Sequence, residues 1–336
     1  MSLLEANNLT IQYQTTRGEE PITAVSDVSF SIEEGEFFGL AGESGCGKST
    51  IADAIIGALD DNGYIESGSL YFQNQPLHEY SEKRLNNEIR WKEISMIPQS
   101  AMNSLDPLER ISEQAYEITN THVGMSTPRT KEKLSELFDL MGLPPDRITD
   151  YPHQFSGGML QRATIALSLL LEPTLIIADE PTTGLDVVMQ DQVFKYLAKI
   201  KKELNSTVFL ITHDVSLIFE ICQTMGVMHG GQLMEVGDVK RLFDEPTHPY
   251  SIMLQRAFPD VRFPDRTLEV IPGHPPENMG EVDYCSFADR CPLAVEECTN
   301  HAPTLEAMDV QDTQSVACFR KNDSRTEMET EEAEPR

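Results

Sequence analysis

Gly42, Glu43, Ser44, Gly45, Cys46, Gly47, Lys48, Ser49 and Thr50 form a run in which three glycines lead to a lysine and two hydroxyls. Glycine lets a backbone turn so that successive N–H groups point into one concavity, and a helix starting at the lysine aims its positive end at the same place. Such a concavity suits phosphate. The run fits G-x-x-x-x-G-K-[ST], and it stands between the strand-like stretch 36–41 and a helix-like segment from about Lys48. A chance glycine-rich turn would lack that setting. Lys48 then offers a mobile cation to the outer phosphates, Ser49 a hydroxyl to a magnesium ion, and Thr50 a contact to an inner phosphate. Cys46 reads as a small filler rather than a reacting thiol.

About 130 residues downstream, Leu175 to Ala178 is an apolar run of the kind that makes a buried parallel strand, and it ends in Asp179 and Glu180. Asp179 is placed to reach the magnesium, and Glu180, one residue further out, to polarise an attacking water. His213 closes a second apolar run, 207–212, and is expected to point from the same sheet edge towards the terminal phosphate. Nucleoside triphosphate hydrolysis is the reaction these groups can perform together.

Phe155-Ser156-Gly157-Gly158-Met159-Leu160-Gln161-Arg162 resembles the signature sequence of ATP-binding cassette (ABC) ATPases. The resemblance implies an α/β fold of the P-loop NTPase, ABC type: a mixed central sheet, an N-terminal antiparallel β subdomain, a helical signature subdomain and, here, a cysteine-containing C-terminal extension. It implies ATP and Mg2+ as cofactors. It also implies that Ser156, Gly157 and Gly158 cap the ATP held by a second subunit, with a helix dipole behind them. Tyr13 resembles the aromatic that stacks on adenine, Gln99 the glutamine that senses magnesium and the membrane partner, Asp186 the acid of the dimer-contact loop, and His213 the switch histidine.

Within that superfamily the chain is most similar to the ATPase subunits of dipeptide and oligopeptide importers, over about residues 2–320. The glutamine-loop run from Gln99 to Pro107, the run from Glu180 to Val187 with Gly184 where alanine is usual, His248-Pro249-Tyr250, and Ile271 to Pro276 carry the resemblance. Met159 stands where the general signature has glutamine, as is usual in one of the two paired subunits. The expected partners are therefore a sister ATPase in a heterodimer, two integral membrane permeases and, indirectly, an extracytoplasmic substrate-binding protein. The expected location is peripheral, on the cytoplasmic face of the cell membrane. Oligosaccharide and nickel remain alternative cargoes. A soluble cassette acting on ribosomes or DNA is the rival from another class, although such proteins usually carry two cassettes or a coiled-coil insertion.

Four of the six cysteines, Cys285, Cys291, Cys298 and Cys318, crowd near the C-terminus as C-x5-C-x6-C-x19-C. These spacings are wider than the C-x2-C pairs of a zinc ribbon, so the pattern by itself names no metal. With no signal peptide and a site for cytosolic nucleotide, structural disulfides are disfavoured. Similar four-cysteine extensions in dipeptide-importer ATPases hold a 4Fe-4S cluster, and the flanking Asp289-Arg290-Cys291-Pro292-Leu293 resembles theirs. A cluster is expected, with zinc or bare thiols as the alternatives.

The 336 residues, 40% of them apolar, exceed one small domain, yet no run approaches the roughly 18 to 20 apolar residues of a membrane span. Residues 1–245 are expected to form the nucleotide-binding domain, with an antiparallel sheet over 1–41 and a helical subdomain over about 104–172; 246–320 form the extension and 321–336 a disordered acidic tail. Acids outnumber bases 55 to 26, for a net charge of -29. Such a surface repels nucleic acid and anionic lipid, so neither is an expected partner. It also resembles the surfaces of proteins from salt-loving organisms, in which dense ions screen self-repulsion.

Overall fold

The structure is a computed structural model that describes residues 2–15, 20–99, 104–184, 187–204, 206–257, 270–274, 276, 283–308 and 313–331. The chain divides into two compact units, one of residues 1–79 with 212–336 and the other of residues 80–211. Along the chain the described strands are β1 (Ser2–Tyr13), β2 (Ile22–Glu33), β3 (Phe37–Gly42), β4 (Gly63–Phe72), β5 (Gln75–Pro76), β6 (Ile94–Ile97), β7 (Leu175–Asp179), β8 (Thr207–Thr212), β9 (Thr224–His229), β10 (Gln232–Asp238), β11 (Glu306–Ala307) and β12 (Ser315–Val316).

In the first unit an antiparallel sheet has the order β2-β1-β4-β5. It buries Leu9 and Ile11 from β1, two residues apart as alternation requires, and opposite them Val28 and Val25 from β2, whose three-residue spacing is accommodated by an irregularity in the pairing where Asp27 has φ 53°. The antiparallel sheet expected over 1–41 is thus different in extent. Residues 63–76 supply two of its strands, and Phe37–Gly42 leave it. All six residues of β3 are buried, and a strand apolar on both faces belongs inside a covered sheet. There β3 runs parallel to β9, which pairs antiparallel with β10, then β12 and β11. The mixed character expected of the main sheet is present within this one unit.

The extension is not a separate body, because β12 joins β10 and the helix Pro249–Ala257 begins on residues buried beside them. Part of the stretch expected to be a disordered tail is a helix, Ser324–Glu331. Charge alone pointed to disorder, but Met328 packs with Ile252 and Leu293, and the Ser324 hydroxyl donates to the carbonyl of Thr247.

In the second unit β8, β7 and β6 are neighbours in parallel, with β7 and β8 fully buried. Helices Ile111–Val123, Thr127–Leu140, Gly157–Ser168 and Val187–Leu204 accompany them. The amphipathic spacing read over 130–138 is a buried stripe of Thr130, Leu134, Leu137 and Phe138. Among the described residues no helix is long and apolar enough to cross a membrane.

Candidate active site

The phosphate loop lies between β3 and the helix Lys48–Ile56. Its glycines are needed individually. Gly47 has φ 97° and a Cβ there would come 2.4 Å from the carbonyl of Ala24, while Gly45 has φ 81° with open space around it. Lys48 is 5% exposed, and its Nζ donates to the carbonyls of Gly42 and Glu43, at 2.8 Å each. The ammonium is folded over the concavity rather than extended into solvent. Ser49 and Thr50 occupy the first turn of the helix, half-buried. Cys46 is buried, with Sγ 3.6 Å from Lys48 Nζ, and burial pushes its thiol above the usual range despite that cation. Tyr13, at the end of β1, lies against Gly63 so closely that a Cβ there would be 2.8 Å from its ring. His213 is exposed between β8 and the helix Val215–Ile221. The Thr212 hydroxyl accepts the Asp214 N–H at 3.0 Å, and Asp214 caps that helix by accepting from Ser216 N–H at 3.1 Å, which fixes the backbone on both sides of the histidine.

In the second unit Asp179 ends β7, 3% exposed. Glu180 follows with φ 44°, a left-handed conformation that a glutamate adopts only when its surroundings impose it. They do so on three sides. Its N–H donates to the carbonyl of Ile211 at 2.8 Å, and its Oε2 accepts from Gln99 Nε2 at 2.9 Å and from the Thr183 hydroxyl at 2.8 Å. The amide and the hydroxyl thus aim one carboxylate oxygen, and a fixed direction suits a group that must polarise water.

The signature stretch opens the helix Gly157–Ser168, with exposed Ser156 at its N-cap. Arg147 stacks over Phe155, its carbon 4.5 Å from the ring centroid, and donates to the Gln154 carbonyl at 2.8 Å and towards Met159 Sδ at 3.5 Å. Gly158 lies against Met189, and its carbonyl accepts from Arg162 Nε at 3.1 Å. Gln161 donates to the carbonyl of Pro181, tying the signature helix to the turn after Glu180. Asp186 lies outside the described residues.

The four C-terminal cysteines converge. Cys285, Cys291, Cys298 and Cys318 line one small cavity, although they span C-x5-C-x6-C-x19-C in sequence. Burial pushes the thiols of Cys285 and Cys291 up to about 12 and that of Cys318 to about 11, with each sulfur further opposed by its neighbours. Among the described residues no three His, Cys, Asp or Glu side chains gather around a point that could hold one metal ion. As the side chains stand they form a ligand set neither for the expected cluster nor for the zinc alternative.

The family profile for the ABC transporter matches residues 25–183, and that for the oligopeptide/dipeptide transporter C-terminal region matches residues 234–298. The chain is 42% identical to the oligopeptide transport ATP-binding protein OppD of Salmonella typhimurium over 95% of its own length and 93% of the relative's. The chain belongs to the ATP-binding subunits of the ABC oligopeptide/dipeptide transporters. The dipeptide transport ATP-binding protein DppD of Escherichia coli is 36% identical over 92% of this chain and 94% of that protein. A dimeric ATP-binding cassette solved in a post-hydrolysis state with ADP and phosphate superposes with a TM-score of 0.62, at 29% identity, over 70% of this chain and 98% of that one.

For this ABC ATPase, sequence reading named the acid, the glutamine and the loop as candidates, but not two of the residues that touch them. Thr183 lies three residues after Glu180, the spacing at which a turn brings a hydroxyl back to a carboxylate, so a local signal for it existed. Arg290 gave none: it meets Glu43 from 247 residues away.

Proposed function

We propose that this chain binds and hydrolyses ATP to energise import of di- or oligopeptides through two separate permeases, at the cytoplasmic face of the membrane and paired with a sister ATPase. The observation that carries the reading is the Gln99 to Glu180 hydrogen bond at 2.9 Å, which couples the glutamine loop directly to the hydrolytic carboxylate. Beyond that loop lies a cavity of about 540 Å³, lined among others by Trp91, Met96, Leu105, Glu109, Gln114 and Ile118, with Leu108 nearby in sequence and 84% exposed. Its size and mixed lining suit a short helix of a permease.

In this mechanism the loop amides and Lys48 bind the outer phosphates. The loop fits that role because Gly45 and Gly47 adopt positive φ and the lysine already bends over the loop. Ser49, Gln99 and Asp179 are the residues that would hold magnesium, an all-oxygen donor set that suits a hard cation, and the ion when bound would neutralise charge on the departing phosphoryl group. Glu180 orients and polarises water, His213 meets the terminal phosphate, and Tyr13 stacks on adenine. Ser156, Gly157, Gly158 and Asp186 complete the sister subunit's site. Closing and opening of the pair moves the permeases.

What supports a four-iron, four-sulfur cluster on Cys285, Cys291, Cys298 and Cys318 is that four thiols, the donor set such a cluster takes, line one cavity. When bound it would supply a cross-link between three parts of the extension. Anaerobic purification should yield about four irons and four acid-labile sulfides per chain, and a preparation lacking both removes the assignment. For the transport reading, the tagged chain is isolated from gently solubilised membranes. Two multispanning permeases and a second ATPase should accompany it, whereas ribosomal or DNA-associated partners without membrane proteins would overturn it.

A further inference from the structure

The extension that carries the cysteines also grips the phosphate loop. Arg290 sits on the short turn Ala288–Arg290, between Cys285 and Cys291. Its Nη1 donates to Glu43 Oε2 at 2.6 Å and its Nη2 to Glu43 Oε1 at 2.8 Å, the two parallel bonds of a guanidinium fork. Its Nε donates to the carbonyl of Pro272 at 2.7 Å, which holds the plane of the fork.

His229 fixes the remaining side. The Ser286 hydroxyl donates to the His229 carbonyl at 2.7 Å, so the contact of 3.0 Å between Ser286 Oγ and His229 Nδ1 uses the imidazole's hydrogen. Nε2 is then the lone pair, and Arg290 Nη1 donates to it at 2.9 Å. The arginine side chain is 6% exposed and that of Glu43 24%, so solvent screens this pair far less than a surface one.

Glu43 is held by its backbone too, since its N–H donates to the Tyr250 hydroxyl at 3.2 Å. The carbonyls of Gly42 and Glu43 in turn accept from Lys48 Nζ. The segment that Arg290 and Tyr250 immobilise is thus the one on which the phosphate-binding ammonium hangs.

We propose that Arg290 is a positioning residue of the ATP site: through Glu43 it sets where the loop's first turn and the Lys48 ammonium stand, and so sets the affinity for nucleotide. Because its turn is bounded by two of the four cysteines, the conformation of the extension is felt directly at the phosphate loop.

The test is made on the full chain, reading dissociation constants for ATP and ADP, and KM against kcat for hydrolysis. Arg290→Ala and Glu43→Gln are each expected to weaken nucleotide binding about 10-fold, with the loss in KM and kcat changed by less than about 3-fold. The double variant should be no weaker than either single one, and Arg290→Lys should fall between wild type and Arg290→Ala. Should Arg290→Ala fail to fold, Glu43→Gln, which leaves the extension's sequence intact, decides the matter. Unchanged affinity in a folded Arg290→Ala or in Glu43→Gln, or additive losses in the double variant, would overturn the proposal. The inference rests on the loop's being the ATP site, and Lys48→Ala separates the two: if it too binds normally, both fall.

Discussion

Glu43 and Glu180 are the same residue type in two regions of the molecule, and their surroundings hold them in different ways. Glu43 is locked by a bidentate arginine at 2.6 and 2.8 Å, while Glu180 is aimed by an amide and a hydroxyl that share one oxygen at 2.9 and 2.8 Å. A cationic partner spends the carboxylate's charge on structure. The amide and the hydroxyl on Glu180 set the direction of its carboxylate. The difference teaches that in this ATPase a glutamate's role follows from what holds it.

The sharpest break of that comparison is Glu180→Gln, which retains the shape and removes the charge. Phosphate release should fall by about 10²- to 10⁴-fold while ATP still binds; normal turnover in that variant would end the assignment. Gly47→Ala strikes the other region, forcing a Cβ towards the Ala24 carbonyl at φ 97°. ATP affinity should drop by about 10-fold or more, as judged by titration, with turnover at saturation less affected.

Acidification separates the regions by stability. Burial holds His229 down to about 4, with Arg290 adding to the effect, and burial holds His248 down to about 3. Depressed histidine values mean that the unfolded chain takes up protons first, so stability is full above about pH 6.5 and declines as pH falls towards 4. By pH 5 each histidine should cost about 2 kcal/mol, read by urea unfolding. Burial raises Glu43, but Arg290 outweighs it and leaves its pKa lowered, so this pair's contribution is lost only below about pH 4.5. A flat stability profile between pH 7 and pH 5 would contradict the buried, neutral histidines.

Smaller effects refine the picture. Thr183→Val should slow hydrolysis about 5-fold, the worth of one neutral hydrogen bond, without altering ATP affinity. An equal loss of affinity would mean that Thr183 supports the loop rather than Glu180. Molar potassium chloride should raise the melting temperature by several degrees, because a net charge of -29 repels itself in dilute buffer. No change would remove the halophilic reading of the surface.

The phosphate loop, Asp179 with Glu180, and the signature were legible because their geometry is local. A glycine's φ, a strand end and a helix N-terminus are set by neighbours in sequence. The first sheet was misjudged in extent because alternation identifies strands without naming their partners, and β4 returns to β1 from residues 63–72. The tail's helix was missed because composition weighs charge and not Met328, whose cluster lies elsewhere in the chain.

What the sequence determined by itself was the ATPase chemistry, since the motifs that mark it come in short runs with fixed spacing. Tertiary structure alone decided what holds them: Arg290 on Glu43, Tyr250 beneath the loop, and four cysteines around one cavity. Partners separated by 207 or 247 residues leave no periodic trace, because nothing but the folded chain brings them within a hydrogen bond's length.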